Sequence, residues 1–505
     1  MMKWIRLLLV CLLLTPADGE AQRLARLASL KEIPVPPEEI HYGVETAGFA
    51  ATGDYTPFWA ASNRYGTVPL AAVNGYLRAD VTHSRQITDD FRWTVGLDVL
   101  CAAPRYRNMY VQQFYTEAQY KQLTASIGSK EQYISLWDRR LSSGDMIQSA
   151  NARPVPEINI SVPQFIVVPF TEGLLQAKGD VSFGLSLDTK YLEDFAREGE
   201  AYVKNVRRHH KSLFLRVRDM QGGFPFYGTL GLQHTAQWGG TSTDPKTDRQ
   251  PGAFTDFIRM FFARHGGADA NLSDQINVLG AHHVSYDMQI GYRREDADWE
   301  VQAYYQHLSY DASGLSFYNG ADGLWGIRLD LFRFPWLSKV VAEYVNTRNQ
   351  SGSFHHILFN HDKHPGMGGG GDDYYNNGIY TNGHTYFNRG VGSPLLPSPE
   401  YNANGTMGYS GTRILDWHIG LEGALTPQAS YRILYTLMNG WGTSLRPFLR
   451  KKAGTSFLIE IAYTHPDLAG WTFTGSLAGD TSDVFGSGGG GVGIGISKRG
   501  VASWR

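Results

Sequence analysis

Short segments in which apolar and polar residues alternate recur along the chain, and this period of two constrains the fold more than any other feature. One such segment runs from Phe91 through Trp93 to Val99. Others are residues 181–188, 284–293, 299–307, 325–331 and 471–477. Because successive side chains of a β-strand point to opposite faces, each segment predicts a strand with one apolar face. The sequence therefore predicts an all-β fold with many strands.

Two all-β architectures produce this pattern, a soluble β-sandwich and a transmembrane antiparallel β-barrel. The polar face of the segments carries Arg, Asp, Glu and Gln beside Gly and Ser, which suits a hydrated or hydrogen-bonded lumen. Several apolar faces begin or end in an aromatic residue, as at Trp299 and Tyr305, which is typical of strands that cross a membrane interface. The segments 91–99, 284–293 and 299–307 also approach the length of about 9–11 residues that a tilted strand needs to span a bilayer. These features favour the barrel.

The N-terminal residues 1–21 are typical of a secretory signal peptide. Lys3 and Arg6 precede an apolar run at residues 7–14, and cleavage is expected after Ala21. The run is too short to cross about 30 Å of hydrocarbon as a helix, and no other segment approaches the length of a transmembrane helix. We therefore expect an exported protein that is either soluble outside the cytoplasm or inserted as a barrel in the outer membrane.

Four segments without the period of two predict other structure. Residues 22–40 are predicted to form a short N-terminal periplasmic segment with an amphipathic helix, and the charged residues 190–211 are compatible with a helix. Residues 254–265 place apolar side chains at helical spacing. Residues 361–411, rich in Gly, Asn, Tyr and Asp, predict one major loop. We expect the barrel to cover residues 41–505, with the helices packing on or in its mouth.

Charge and cysteine content exclude several classes of protein. The chain has 46 basic and 48 acidic side chains and a net charge of −2, which gives no general attraction for nucleic acid. Removal of the signal peptide with Cys11 leaves Cys101 as the single cysteine, so neither an intramolecular disulfide nor a Cys-x-x-Cys site is expected.

Motifs for metal binding and catalysis are scarce. Adjacent histidines on a strand point to opposite faces and do not chelate one metal; such pairs occur at 209–210, 282–283 and 355–356. His361 and His364 lie in the predicted loop without a supporting set of ligands. Glycosidases need two carboxyl groups about 5–9 Å apart, and no spacing singles out such a pair among Asp372, Asp373, Asp416 and Glu422. We expect no metal site, no cofactor and no enzymatic activity.

Residues 372–389, which are rich in Tyr, Asn and Asp, are the best candidates for a binding site. Aromatic rings cover the apolar faces of sugars, while Asp, Asn and Arg side chains hydrogen-bond to their hydroxyl groups. The candidate saccharide-binding residues are Asp372, Asp373, Tyr374, Tyr375, Asn376 and Tyr380. The same residue types also order long loops through local hydrogen bonds, so the residues alone leave both interpretations open.

Several short motifs occur in a fixed order from about Tyr42 to the C-terminus. They are Ser142-Ser143-Gly144-Asp145-Met146, Asn151-Ala152-Arg153-Pro154, Pro156-Glu157-Ile158, residues 210–216, Gln237-Trp238-Gly239-Gly240, residues 272–277, Tyr304-Tyr305-Gln306-His307, residues 322–326, Glu343-Tyr344, Gln350-Ser351-Gly352 and residues 373–377. Each motif is short, but their order together resembles that of the Wzi-type capsule assembly proteins in the form found in Bacteroides-like bacteria.

This resemblance implies an outer-membrane β-barrel of about 18 strands in a Gram-negative bacterium, with helical and loop insertions that plug the lumen. It also implies a monomeric lectin whose partners are capsular or other surface polysaccharide and outer-membrane lipid. Polar residues within the motifs are candidates for an inward-facing network that holds the plug through charge-assisted hydrogen bonds. These residues are Arg153, Lys211, Arg216 and Gln237.

Two other functions compete with that of a lectin. A diffusion channel for sugars or other solutes would need an open lumen lined by charge, and conductance measurements would detect it. An enzyme that cleaves polysaccharide would need a catalytic carboxylate and would release oligosaccharide, which a lectin does not.

Overall fold

The computed structural model describes residues 38–220, 223–294, 296–310, 312–350, 352, 356–357, 369–481, 483–486 and 488–503. The predicted signal peptide 1–21, most of the segment 22–40 and His355, His361 and His364 lie outside the described residues. In the part of the chain that is described, no helix is both long and apolar enough to cross a membrane.

Among the described residues, eighteen strands form one closed antiparallel sheet, which confirms the predicted all-β barrel and the strand number that the resemblance implies. Each strand pairs with the next, and the first pairs with the last to close the barrel. The strands are β1 Glu38–Tyr55, β2 Ala71–Thr88, β3 Phe91–Ala103, β4 Met109–Tyr120, β5 Leu123–Ser129, β6 Pro156–Val167, β7 Leu175–Leu185, β8 Arg207–Arg218, β9 Phe226–Trp238, β10 Ala281–Tyr292, β11 Trp299–Ser309, β12 Gly323–Leu331, β13 Lys339–Asn346, β14 Leu415–Thr426, β15 Ala429–Gly442, β16 Pro447–Thr464, β17 Trp471–Asp480 and β18 Gly489–Ser503.

Short turns join the strands at one end of the barrel, and long loops join them at the other. The turns at 89–90, 121–122 and 427–428 have two residues each. The opposite end carries the loops 56–70, 130–155, 186–206, 239–280 and 347–414. In outer-membrane barrels the short turns are periplasmic and the long loops are extracellular. The start of β1 and the end of β18 therefore lie on the periplasmic side.

The loops contain short helices and ladders. The helices are α1 Phe58–Ala61, α2 Thr189–Phe195, α3 Phe254–Phe261, α4 Leu272–Ile276 and α5 Ala312–Leu315, with a 3-10 turn at Pro399–Tyr401. Two-residue ladders pair Val203–Lys204 with Thr241–Ser242, His356–Ile357 with Gly369–Gly370, and Thr385–Tyr386 with Arg389–Gly390.

The structure differs from the sequence analysis at some boundaries. The helix predicted at 254–265 is found as α3, but the one expected over 190–211 ends at Phe195 and β8 begins at Arg207. The edges of β7 and β9 each offer β8 a full ladder of backbone hydrogen bonds, which outweighs the helix propensity of its charged residues. At the start of the barrel, residues 38–40 already pair with β2 and so belong to β1.

Apolar side chains cover the outer face of the barrel. Outward residues are exposed in the isolated chain, for example Leu230 at 66%, Ile290 at 58% and Ile494 at 76%. Aromatic rings flank this belt at both ends. The ring centroids of Tyr305 and Trp325 lie 3.9 Å apart near the extracellular end, and those of Tyr292 and Trp299 lie 5.2 Å apart near the periplasmic end. A belt between two aromatic girdles is the lipid-facing surface of a transmembrane barrel.

Inward-folded loops fill the lumen. Their apolar side chains form one buried core with inward-facing residues of the strands. The loops contribute Phe58, Trp59, Trp137, Leu141, Met146, Ile147, Tyr374, Tyr375, Leu395 and Leu396, and the strands contribute Tyr304, Leu308, Leu324, Val341, Leu434, Met438 and Leu458. We call the inserted parts of the loops 56–70, 130–155 and 371–411 the plug.

Ion pairs hold the plug close to the periplasmic end. Arg64 lies 2.5 Å from the Glu460 carboxylate on β16. Asp138 lies 2.7 Å from the ammonium of Lys339, the first residue of β13. These strand positions lie near the periplasmic turns, so the plug extends through most of the height of the barrel.

Candidate functional site

Asp145 is the centre of the hydrogen-bond network that holds the plug. One carboxylate oxygen accepts from the Ser135 hydroxyl at 2.6 Å and from the Gln233 amide at 2.9 Å. The other accepts from the backbone N–H of Ile147 at 2.7 Å and from the Gln306 amide at 3.0 Å. Asp145 is fully buried, so this carboxylate depends entirely on protein donors.

Two neighbouring contacts continue this network to the barrel wall. Gln306 on β11 accepts from the Trp137 indole at 3.1 Å and from the backbone N–H of Met146 at 2.8 Å. Glu343 on β13 accepts from the backbone N–H of Ser143 at 2.7 Å. Gly144 adopts a φ of +115°, which directs the chain around this turn and is strained for other residues. Motifs that are far apart in sequence therefore meet at the plug.

Asp322 is a second centre of motif residues. Its carboxylate accepts from the backbone N–H groups of Asn349 at 3.0 Å and Gln350 at 2.8 Å. The Tyr374 hydroxyl donates to the same carboxylate at 3.3 Å and accepts from the Asn319 amide at 2.7 Å. Burial raises the pKa of the Asp322 carboxyl to about 7, against the opposing effect of these donors.

The candidate saccharide-binding tyrosines Tyr374, Tyr375 and Tyr380 are all buried in the structure, with at most 1% of each exposed. The Tyr375 hydroxyl donates to the carbonyl of Met146 and accepts from the backbone N–H of Ser393 at 3.2 Å. The Tyr380 hydroxyl donates to the carbonyl of Gly239 at 3.2 Å. Because protein covers their rings, these tyrosines offer no stacking surface to a sugar in this conformation.

The other three candidates, Asp372, Asp373 and Asn376, are half-buried. Asp373 accepts from the Thr412 hydroxyl at 2.6 Å and from the Asn376 amide at 3.0 Å, and burial raises the pKa of its carboxyl. Asn376 also accepts from the backbone N–H of Tyr409 at 2.7 Å. The carbonyl of Asp372 accepts from the Ser444 hydroxyl at 2.9 Å. These bonds order the loop, which is the alternative to sugar binding that the sequence analysis left open for this segment.

The four candidates for a lumen network are separated in the structure. Arg216 faces the lumen and donates to the Thr229 hydroxyl at 3.0 Å, whereas Gln237 is buried and its side-chain amide has no hydrogen-bond partner among the described residues. Arg153 lies in the plug and donates to the carbonyl of Val111 at 2.9 Å.

Lys211 differs from the expectation because it lies on the outer face of the barrel. It pairs with the outward-facing Val181 and His234 on the two neighbouring strands, whereas Arg208 and His210 of its own strand face the lumen. Its ammonium donates to the carbonyl of Phe261 at the end of α3. The motif 210–216 is a strand, so every second residue in it points away from the lumen.

A polar cavity lies between the plug and the wall formed by β6 to β9. Its lining includes Tyr65, Gln132, Gln148, Arg208 and His210. Its volume of about 50 Å³ is enough for a few water molecules. Within the described ranges, no group of three or more His, Cys, Asp or Glu side chains is arranged to hold a metal ion.

Three extracellular loops bring aromatic and charged side chains together at the barrel mouth. Tyr106 is 40% exposed, and its ring packs edge-on against Tyr191 at a centroid distance of 5.1 Å. Tyr191 also lies 5.8 Å from Phe195 and 5.4 Å from Phe387. The Tyr106 hydroxyl donates to Asp194 at 2.6 Å. We call these five residues the mouth cluster.

Charges surround the mouth cluster. The ammonium of Lys190 lies 3.0 Å from the Asp194 carboxylate, and the Arg107 guanidinium lies 5.8 Å from the Tyr106 ring. The hydrogen bond from Tyr106 and the contact with Lys190 lower the pKa of Asp194, which keeps this carboxylate ionised at neutral pH. The cluster therefore combines exposed aromatic surface with hydrogen-bonding groups of both charges.

Sequence reasoning missed the mouth cluster because its members come from three separate loops. Arg105-Tyr106-Arg107 lies a few residues beyond the predicted strand 91–99, which is one local signal for a loop with binding groups. Tyr191 and Phe195 lie in the segment interpreted only as a charged helix. Phe387 lies in the segment 372–389, the same segment as the candidate saccharide-binding residues.

The comparisons with known proteins concern the fold. The sequence matches no protein-family profile, and no curated protein is detectably similar to it. The structure is similar to that of Wzi, an outer membrane protein involved in group 1 capsule assembly in Escherichia coli and a carbohydrate-binding β-barrel. That match has a TM-score of 0.55 and 14% identity, and covers 96% of this chain and 89% of that chain.

Two other matches are weaker. OmpF from Salmonella typhi matches with a TM-score of 0.40 and 8% identity, over 92% of this chain and 97% of that chain. OprD from Pseudomonas aeruginosa, also an outer membrane protein, matches with a TM-score of 0.45 and 8% identity, over 92% of this chain and 94% of that chain. The shared fold and the lipid-facing belt identify the chain as an 18-stranded β-barrel of the outer membrane of a Gram-negative bacterium.

Proposed function

We propose that this chain is a Wzi-type capsule assembly protein that binds capsular polysaccharide non-covalently and helps to assemble or retain the capsule at the cell surface. The observation that carries the proposal is an aromatic and charged mouth cluster above a filled lumen. The resemblance of the sequence motifs supports the family, and the likeness of the fold to a carbohydrate-binding barrel supports the ligand class.

The mouth cluster has the chemistry that a sugar polymer needs. The exposed face of Tyr106 can stack on a pyranose ring, while Asp194, Lys190 and Arg107 can hydrogen-bond to hydroxyl or carboxylate groups. Arg153 supports the cluster from below, with its guanidinium 4.6 Å from the centroid of the Phe387 ring. Repeated weak contacts along one polymer would add through avidity, so no deep pocket is required.

In this proposal the buried candidates of segment 372–389 support the site rather than contact the ligand. Tyr375 and Tyr380 fix the loop that carries Phe387 through their hydroxyl groups. The half-buried Asp372, Asp373 and Asn376 lie at the surface of the same loop and are further candidates for sugar contact.

Replacing Tyr106 with alanine is expected to weaken binding of the strain's own capsular polysaccharide about fivefold, because one stacking interaction of roughly 1 kcal/mol is lost. Binding of the detergent-purified protein to immobilised polysaccharide measures this effect. Tyr120→Ala is the matched control, since Tyr120 is a 54% exposed tyrosine at the periplasmic end of β4.

If wild type and the Tyr106→Ala variant bind the polysaccharide with equal affinity, the mouth cluster is not the binding site. No binding by wild type, together with normal capsule retention in a deletion strain, would overturn the proposed function as a whole. Analysis of the same mixtures for released oligosaccharide tests the enzyme alternative, which requires product.

In planar bilayers we expect the wild-type barrel to conduct almost no current, because the plug occupies the lumen from the mouth to the periplasmic ion pairs of Arg64 and Asp138. A 16-stranded porin in the same bilayer serves as the conducting control. Stable, porin-like conductance of the wild-type protein would favour the diffusion channel.

A further inference from the structure

The outer wall of β8 to β11 departs from the apolar pattern near its extracellular end. Four outward positions on these adjacent strands carry His209, His234, His282 and His307. Their face is fixed by register, because Ala236 pairs with both His209 and His282, and the same face of these strands carries the exposed Leu213, Leu215 and Leu230. Imidazoles left uncovered at a hydrocarbon boundary would lose hydrogen bonds to water at considerable cost.

The loop 239–280 covers three of these histidines from outside the barrel. Phe261 of α3 lies 5.0 Å from the His209 ring, and Phe257 lies 4.9 Å from the outward-facing Phe183 and 6.0 Å from Trp238. Met260 is fully buried in a cluster with Ala236 and Trp238. The helix α3 therefore packs against the outer wall and not in the lumen.

Each imidazole under this cover has at least one polar contact, although Nε2 of His209 and Nδ1 of His234 have no hydrogen-bond partner among the described residues. The rings of His234 and His282 are hydrogen-bonded to each other at 2.7 Å, and His282 contacts the carbonyl of Leu279 at 2.8 Å. His209 contacts the carbonyl of Ser182 at 2.9 Å. The three side chains are buried, with at most 8% of each exposed.

The loop after β11 covers the fourth histidine in the same way. Phe317 stacks on His307 at a centroid distance of 4.1 Å and on the outward-facing Tyr286 at 5.7 Å. The His307 ring also contacts the carbonyl of Gly314 at 2.9 Å. Two neighbouring loops thus fold outward over one continuous part of the wall.

The far side of this cover is apolar although it faces away from the protein. Five large side chains on α3, α4 and the residue after α3 are exposed. They are Phe254 at 76%, Ile258 at 37%, Phe262 at 52%, Leu272 at 71% and Ile276 at 63%. We call these five residues the outer shelf. An exposed apolar surface of this kind marks a site of contact with lipid or protein.

We propose that the outer shelf lies in the outer leaflet of the membrane and contacts the acyl chains of its glycolipid. The shelf continues an established lipid surface, because the paired Leu213 and Leu232 are exposed on the same outer face, directly on the periplasmic side of the pair Lys211 and His234. The helix α3 is amphipathic, with an exposed Arg264 following its apolar face, as in helices that lie in a membrane interface.

This second membrane contact has a structural consequence. The apolar belt of β7 to β11 ends at the histidine row, and the outer shelf extends it outward and towards the cell surface. The barrel is thereby wider in the outer leaflet on this side. The inference does not depend on polysaccharide binding, since no residue of the outer shelf belongs to the mouth cluster.

Spin labelling of the full-length protein tests the proposal. In a Cys101→Ser background, nitroxides are placed by Ile258→Cys and Leu272→Cys, with Leu230→Cys as the lipid-facing control and Glu198→Cys as the water-facing control. The proteins are reconstituted in vesicles of phosphatidylcholine with lipid A. Power saturation then compares collision of each label with oxygen, which partitions into lipid, and with a water-soluble nickel chelate.

Labels at 258 and 272 are expected to match the label at 230, with oxygen accessibility several-fold above that to nickel. If both labels match the one at 198 instead, the outer shelf is in water and the proposal is overturned; the shelf would then be a surface for a protein partner. Heat-modified migration on gels shows that each labelled barrel is folded, so misfolding cannot produce either outcome.

Discussion

Replacing Asp145 with alanine is expected to lower the free energy of opening of the plug by about 3 kcal/mol or more, because several buried donors lose their acceptor at a cost of about 1–3 kcal/mol each. In a site closed to water, the substitution leaves the backbone N–H of Ile147 without its acceptor and removes the shortest hydrogen bond of the Gln233 and Gln306 amides. The strands keep their own ladders, so the closed barrel is expected to persist around a loosened plug.

Hydrogen exchange of the Ile147 and Gln148 amides measures this opening directly, since both donate to Asp145 in the native state. Asp145→Asn keeps one acceptor oxygen and should give an intermediate effect. Asp244→Ala is the matched control, because Asp244 caps a surface turn by accepting from Lys246 at 2.9 Å. Unchanged protection in Asp145→Ala would contradict the central position given to this residue. Channel openings in the variant but not in wild type would show in addition that the plug is what closes the lumen.

The stability of the extracellular side of the plug is expected to fall as the pH rises from about 4 to about 7. Burial raises the pKa of the Asp322 carboxyl from 3.8 to about 7, so within this window the native state holds a proton that the opened state releases. The opened state is therefore favoured progressively by up to about 4 kcal/mol, and the effect is complete above the native pKa.

Protection of the Asn349 and Gln350 amides, which donate to Asp322, reports this opening. It is compared at pH 5 and pH 8 after correction for the intrinsic exchange rate. Asp322→Asn removes the titrating group and should abolish the dependence on pH. The same slope in wild type and in Asp322→Asn would assign the effect to another group.

The alternating segments were sufficient to predict most of the barrel. Phe91 to Val99 and Trp299 to Tyr305 lie in strands whose apolar side faces lipid. These strands could be predicted because successive side chains of a strand point to opposite faces, so that apolar and polar residues alternate in the sequence. The helix α3 was predicted for the same reason, from apolar residues at helical spacing. Local periodicity did not predict the strand that begins at Arg207 within the segment 190–211, because its pairing with β7 and β9 decided its structure.

The candidate site could be predicted only in its general position. The segment 372–389 does lie among the extracellular loops, but burial of Tyr374, Tyr375 and Tyr380 depends on contacts with the loops 130–155 and 239–280, far away in sequence. The mouth cluster has the same limitation, since Tyr106, Tyr191 and Phe387 come together only when three loops fold over one barrel end.

The sequence by itself determined which residues alternate, and with that the barrel, its lipid-facing side and its aromatic ends, because these depend on neighbours one or two positions apart. Only the tertiary structure decided that Asp145 and Asp322 gather the scattered motifs, that Lys211 points outward, and that α3 covers histidines on the outer wall. These features depend on which loop enters the lumen and which folds outside it. That choice is made by packing and by the satisfaction of buried polar groups across hundreds of residues, which no local pattern records.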